Sequence, residues 1–395
     1  MIHLRNIIRN YRLEMIPLIT FFLLIGCGNA NSSSMKMERE QTTTTTDTDS
    51  SQKIMLALLL DTSNSMDGLI GQAKSQLWKI VNELAMAKCD DGSRPDIRIA
   101  LYEYGNNGLP ASENYIRMVN PLTTDLDELS GNLFSLTTNG GEEFCGQVIK
   151  TSLDQLDWSE SKADLKMIFI AGNEPFTQGR FPYEKACTIA SQNDIVVNTI
   201  FCGNYQEGIN TFWKRGAELT NGTYMSINQD VKTIFISTPY DDRIDQLNDD
   251  LNKTYIYYGS QGRSNKEMQM AQASNADQHS KSNKVNRAIS KSSHAYKNSQ
   301  WDLVDAYKED NDAVAEAEEE FLPEEMKGMG ASEKEAYIVQ KSEERAKIQQ
   351  EIKDLNKKRQ LYIQQNQPKP KEGMLDEALL QSIRTKAATK NMTFE

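Results

Sequence analysis

Apolar and polar residues follow one another along this chain in two rhythms, and the shift between them marks its organisation. The run "KIMLALLL" (53–60) is continuously apolar over the length of a strand, the pattern of a strand covered on both faces. Behind it Leu69, Ile70, Ala73, Leu77, Ile80, Val81 and Leu84 recur at helical spacing and predict a helix with one buried stripe. Strand-like runs follow at 96–104, 115–122, 165–171, 195–201 and 223–227, separated by helical patterns at 125–136, 142–156, 183–192 and 209–219. Strands alternating with helices predict an α/β domain over 53–237, doubly wound, with a mostly parallel sheet and helices on both faces.

From residue 238 the strand rhythm stops. The stretch 238–300 predicts a helical extension, opening on a helix near 241 whose aromatic end, "TYIYYG", docks on the preceding domain. Residues 301–395 predict a helical C-terminal region. Within it "EKEAYIVQKSEERAKIQQEIKDLNKKRQLYI" reads as one long charged helix with a seam at Ile348, Ile352, Leu355 and Tyr362. Lys341, Arg345 and Arg359 interrupt that seam, which favours a helical hairpin over a sustained coiled coil. "QPKPK" breaks the pattern, and "LDEALLQSIRTKAA" predicts a final amphipathic helix.

The N-terminus bears on compartment. Arg5, Arg9 and Arg12 precede "MIPLITFFLLIGC", the layout of a secretory signal over 1–27. Its end, "LIGC", resembles the lipobox of bacterial lipoproteins, which implies that Cys27 is acylated and becomes the mature N-terminus. Acyl chains contribute about 0.8 kcal/mol per buried methylene, enough together to hold a protein at a membrane. No later run in the sequence reaches the roughly 18 apolar residues of a spanning helix, so the lipid is the expected anchor. Gly28 stands where an Asp retains lipoproteins in the inner membrane, which implies an outer-membrane address, at its periplasmic or surface face. Residues 28–52 carry almost no large apolar side chains and predict a flexible tether.

A formal net charge of −12, with no stretch both basic and aromatic, argues against nucleic acid as a partner. In an exported protein Cys89, Cys145, Cys187 and Cys202 are free to pair. Cys145 with Cys202, expected at one edge of the sheet, is the favoured pairing, and Cys145 with Cys187 the second. Three scattered His residues and the lack of C-x-x-C argue against zinc, and no G-x-S-x-G, P-loop or G-x-G-x-x-G occurs. The expectation is therefore a protein that is not an enzyme.

One short stretch carries candidate chemistry. Asp61 ends the first buried strand, at the carboxyl edge where open parallel sheets bind ligands. "DTSNSM" spaces oxygens at alternate positions, so that Asp61, Ser63 and Ser65 can wrap one side of a hard cation, Mg²⁺ or Ca²⁺. The same serines can instead cap the following helix, and both readings stand on sequence alone. Asp61-Thr62-Ser63-Asn64-Ser65 matches D-x-S-x-S, and in this setting residues 53–237 resemble a von Willebrand factor A domain.

That resemblance implies a metal-ion-dependent adhesion site with a position left open for a partner's carboxylate. It also implies a function in protein binding or adhesion, here with protein partners at the cell envelope. The other two loops depart from the family pattern. Glu142 stands where a Thr follows paired glycines, with Glu143 beside it and Thr137 and Thr138 upstream. Gly172 stands where the third loop has Asp, followed by Asn173 and Glu174. Glu142, Glu143 and Glu174 are thus the candidate substitute ligands, and a carboxylate-rich set suits Ca²⁺ as well as Mg²⁺. Two other readings remain open at this point. One is an envelope hydrolase, or its accessory subunit, using paired carboxylates; the other is a structural scaffold with a vestigial site.

Overall fold

The apolar run that begins the folded chain is β1 (Lys53–Asp61), whose side chains are buried on both sides of a six-stranded sheet. The structure is a computed structural model and describes residues 51–231, 235–366 and 375–394. The leader, Cys27, nearly all of the tether and the "QPKPK" break lie outside those residues. After β1 come α1 (Asp67–Leu84), a short β2 (Ala87–Lys88) and β3 (Asp96–Tyr104), which pairs parallel with β1 from Lys53↔Asp96 to Asp61↔Tyr104. β4 (Ile116–Thr123) turns back antiparallel on β3 and makes one edge. Then follow α2 (Leu126–Ser135), α3 (Cys145–Gln155), β5 (Leu165–Gly172), α4 (Tyr183–Gln192) and β6 (Val196–Cys202).

The helix expected over 209–219 is two pieces, α5 (Tyr205–Asn210) and α6 (Trp213–Glu218), broken at Phe212, whose φ is 72°. β7 (Tyr224–Ile227) closes the sheet in the order β4-β3-β1-β5-β6-β7. The chain leaves β1 first to one side and then, with β5, to the other. Asp61 therefore stands at the carboxyl end of the strand where the winding reverses, the usual place for a ligand.

The remaining helices are α7 (Asp241–Asn252), α8 (Gly262–His279), α9 (Lys281–Lys291), α10 (Leu303–Glu309), α11 (Ala313–Glu316), α12 (Ala331–Asn366) and α13 (Leu375–Ala388), followed by β8 (Thr393–Phe394). α7, α8, α9, α13 and Ile352 of α12 join the core on one face of the sheet, whereas Leu303, Val304, Val314 and Ile338 of α10, α11 and α12 form an apolar cluster of their own. On one face Val148, Ala186 and Trp213 of α3, α4 and α6 meet Leu59 and Ile170. On the other, Leu77 of α1 is joined by Ile244, Val285, Leu379 and Ile383 of the later helices over Leu56 and Phe169. β8 pairs antiparallel with β2, so the last described strand is tied to the segment between α1 and β3. The described residues accordingly form one compact unit. Among the described residues no helix is long and apolar enough to cross a membrane.

α12 runs 36 residues without a turn, so the expected hairpin does not form within it. Its buried residues are Ile338, Arg345, Ile352 and Arg359, and the two arginines that interrupt the apolar seam are part of the contact. Arg345 donates to both carboxylate oxygens of Asp302, at 2.6 and 3.1 Å, and Arg359 donates from Nε to Asp241 at 3.0 Å. On the neighbouring helix α9, Arg287 donates to Asp127 of α2 at 2.6 Å.

The expected disulfide does not form: Cys89, Cys145, Cys187 and Cys202 are all free thiols. Cys145 and Cys202 share an edge of the sheet but not a face. Side chains alternate along β6, so Phe201 points into the core that holds Cys145 while Cys202 points into the opposite one. Cys187 shares the Cys145 face and is unpaired as well.

Candidate metal centre

Three loops meet at the carboxyl ends of β1, β3 and β5. The N–H of Asn139 donates to Thr62 O at 2.9 Å and that of Asn107 to Gly140 O at 2.8 Å, which draws the second loop over the ends of β1 and β3. Asp61 is wholly buried, and its Oδ1 accepts the Ser63 N–H at 2.7 Å. Glu143 is buried beside it, its own N–H donating to Gln178 Oε1 at 3.1 Å. Both carboxylates stand over Gly105, where a Cβ would meet Glu143 Cγ at 2.6 Å and Asp61 Oδ1 at 2.9 Å. When ionised both are acceptors only, and Asp61 Oδ2 and Glu143 Oε2 are left with no donor.

Burial pushes the Glu143 carboxyl up to about 9, helped by the charge of Asp61. Burial likewise pushes Asp61 up to about 6, against the pull of the Ser63 N–H. Glu174 raises both through space. Such a pair is stable only when it holds a proton or a cation between its oxygens.

The serines do not cap the helix that follows. Ser63 Oγ lies 3.3 Å from Ser65 Oγ, and Asn173 Nδ2 donates to Ser65 Oγ at 3.2 Å. Neither the 3₁₀ turn at Asn64–Met66 nor α1 receives a side-chain cap, so the capping reading fails. Ser65, Glu142 and Glu174 are exposed at the rim, and Glu142 makes none of these contacts. Among the described residues no three His, Cys, Asp or Glu side chains gather closely enough to hold a metal by themselves. The central set is two carboxylates, Asp61 and Glu143, completed by hydroxyls, an all-oxygen donor set that fits a hard divalent cation.

The departures of the second and third loops have steric and hydrogen-bonding causes. Thr138, which could have supplied a hydroxyl, donates it to the Asp67 carboxylate at the start of α1. At Gly172 a Cβ would sit 2.6 Å from Tyr104 Oη and 3.1 Å from Asp61 Oδ2. The Tyr104 hydroxyl, donating to Ala171 O at 3.0 Å, thus takes up the space an Asp side chain would need. Glu143 supplies the second carboxylate from another direction, over Gly105, where φ is +77° and a Cβ would lie 2.6 Å from Glu143 Cγ. Sequence reasoning missed Tyr104 and Gly105. The signal available was their register, since Tyr104 is the partner of Asp61 across β1 and β3. Gly172→Ala should destabilise the protein by about 1–3 kcal/mol through overpacking. Tyr104→Phe in the same chain should recover part of that loss in urea denaturation; equal costs with and without the hydroxyl would refute this account of the third loop.

No family model matches this sequence, and no curated protein matches it. Solved structures do resemble it. BatB from Bacteroides thetaiotaomicron, a conserved hypothetical protein, is 14% identical over 44% of this chain and 90% of its own, with a TM-score of 0.33. The SpRpn10 VWA domain is 14% identical over 44% of this chain and 88% of its own, with a TM-score of 0.33. The pilus adhesin SpaC from Lactobacillus rhamnosus GG, in an open conformation, is 12% identical over 45% of this chain and 28% of its own, with a TM-score of 0.34. The strand order, the antiparallel edge strand β4 and the D-x-S-x-S loop closing β1 give the segment from β1 to β7 the von Willebrand factor A fold, to which a helical C-terminal region is added.

Proposed function

We propose that this chain is a protein-binding module of the cell envelope, held by a lipid on Cys27, that grips its partner through a divalent cation. The observation that carries the reading is the buried pair of donor-less carboxylate oxygens on Asp61 and Glu143, at the switch point of the sheet. Asp61 and Glu143 would hold Mg²⁺ or Ca²⁺ with the hydroxyls of Ser63 and Ser65, and the exposed Glu142 and Glu174 would line the rim. The cation, when bound, supplies positive charge and an open coordination position for an outside oxygen. The chain's own residues do the rest. The Ser63 N–H orients the Asp61 carboxylate, and Gln178 fixes the loop that carries Glu143. We assign no catalytic role to either carboxylate, and place the module at the outer membrane.

The test is capture from an envelope extract by wild type and Asp61→Ala, each in Mg²⁺ and in chelator. A partner retained only by wild type with cation supports the reading; one retained equally in all four conditions contradicts it. For the anchor, Cys27→Ser should move the protein out of the detergent phase. Continued partitioning of a processed mutant would show that something other than this lipid holds it.

A further inference from the structure

Phe212 sits where a large side chain is least expected. It is 47% exposed, and its backbone is left-handed at φ 72°, ψ 9°, an outlier for an aromatic residue. Its neighbours hold it there. The Phe176 N–H donates to Thr211 O at 2.9 Å, and Trp213 Nε1 donates to Glu174 O at 2.8 Å. The Trp213 ring is wholly buried, 4.8 Å from Phe176 and 5.8 Å from Phe201. Phe212 is therefore locked to the third loop, and the other end of that loop, Asn173, holds Ser65 in the candidate metal centre. The ring's aromatic neighbour is Tyr183, at 6.4 Å.

We infer that Phe212 is an apolar anchor for the partner of that centre. The partner segment gives one carboxylate to the cation and lays an adjacent apolar side chain on Phe212. This rests on the cation-bridge reading above and adds what surrounds the bridging carboxylate. Charge favours an apolar neighbour over a second acid, because Glu142 and Glu174 are exposed at the same rim and would repel it. A strained aromatic held out to solvent beside a charged centre is the arrangement expected of a binding anchor, for which buried aromatics carry much of an interface's affinity.

The experiment uses two synthetic peptides as probes, Ac-Gly-Gly-Asp-Gly-Gly-amide and Ac-Gly-Phe-Asp-Phe-Gly-amide, with wild type and Phe212→Gly in excess Mg²⁺ or Ca²⁺. Wild type should prefer the Phe-flanked peptide by about tenfold. Phe212→Gly should lose that preference, bind the Gly-flanked peptide unchanged, and melt at a higher temperature because glycine relieves the left-handed backbone. A preference that survives in Phe212→Gly overturns the anchor while leaving the cation bridge intact. A lower melting temperature in Phe212→Gly also overturns it, since the ring would then be a support of the fold. Failure of both peptides to bind wild type, when cation raises its melting temperature, overturns the carboxylate bridge and the anchor with it.

Discussion

Glu143→Gln should raise the melting temperature of cation-free protein and abolish its response to Mg²⁺ or Ca²⁺, two changes of opposite sign from one substitution. The first follows from linkage. Burial raises the Glu143 carboxyl from 4.5 to about 9, so the native state keeps a proton that the unfolded chain has released. The stability this contributes is complete below about pH 4.5 and is lost as pH rises toward 9, at up to about 1.4 kcal/mol per pH unit for one proton. Asp61, raised to about 6, adds loss of the same sign at the lower end of that window. Gln removes the Glu143 part and offers Asp61 an amide donor. In chelator at pH 8 the variant should therefore be more stable by on the order of 1–3 kcal/mol, with a flatter pH dependence. The second change follows from the donor set. Wild type should gain about 2.7 kcal/mol at a hundredfold excess of cation over its Kd, and the variant none of it. Thermal melts from pH 5 to 9, in chelator and in cation, read both; an undiminished cation response in Glu143→Gln would remove Glu143 from the ligand set.

Arg345→Ala should cost about 3–5 kcal/mol, the largest single loss expected outside the apolar core. The guanidinium is wholly buried. It donates to Asp302, to Asp305 Oδ1 at 2.8 Å, to Thr254 O at 2.6 Å and to Thr254 Oγ1 at 3.0 Å, and it lies 4.1 Å over the Tyr255 ring. Truncation strands the wholly buried Asp302 carboxylate, which also receives the Ile256 N–H at 2.7 Å. Arg345→Lys keeps the charge but loses the two-pronged grip on Asp302 and should fall between wild type and Ala. Because α12 shares a core with the sheet, urea unfolding followed by tryptophan fluorescence and by helix circular dichroism should show one transition, moved to lower urea. Two separated transitions would mean that the helical region folds apart from the α/β domain.

The same arginine shows why part of the architecture was legible in the sequence and part was not. Strands buried on both faces must be apolar throughout, and helices on a sheet must carry one apolar stripe. The order of strands and helices could therefore be read directly, to the residue for β3. Arg345 and Arg359 read as breaks in a seam because hydropathy treats arginine as a surface residue. Their place inside depends on Asp302, Asp305 and Asp241, the first two of which lie 43 and 40 residues from Arg345, and a single sequence does not pair them. At the candidate metal centre, Asp61, Ser63 and Ser65 could be picked out because they alternate within one short stretch that follows a strand. That Glu143 rather than Glu142 turns inward depends on Gly105, and that Thr138 is spent on Asp67 depends on a contact across loops. The break at Phe212 had no glycine or proline to announce it. The disulfide expectation failed on alternation, since the edge shared by Cys145 and Cys202 says nothing about which face each side chain takes.

The most direct test is calorimetric titration of Mg²⁺ and of Ca²⁺ into cation-stripped wild type and Asp61→Ala at neutral pH, in two buffers of different ionisation enthalpy. A cation entering between Asp61 and Glu143 must displace the proton they hold. Wild type should bind at one site with heat that changes with the buffer, and Asp61→Ala should show no binding at that site. Absence of binding in wild type, or equal binding in Asp61→Ala, would contradict the assignment of "DTSNSM" as the metal centre.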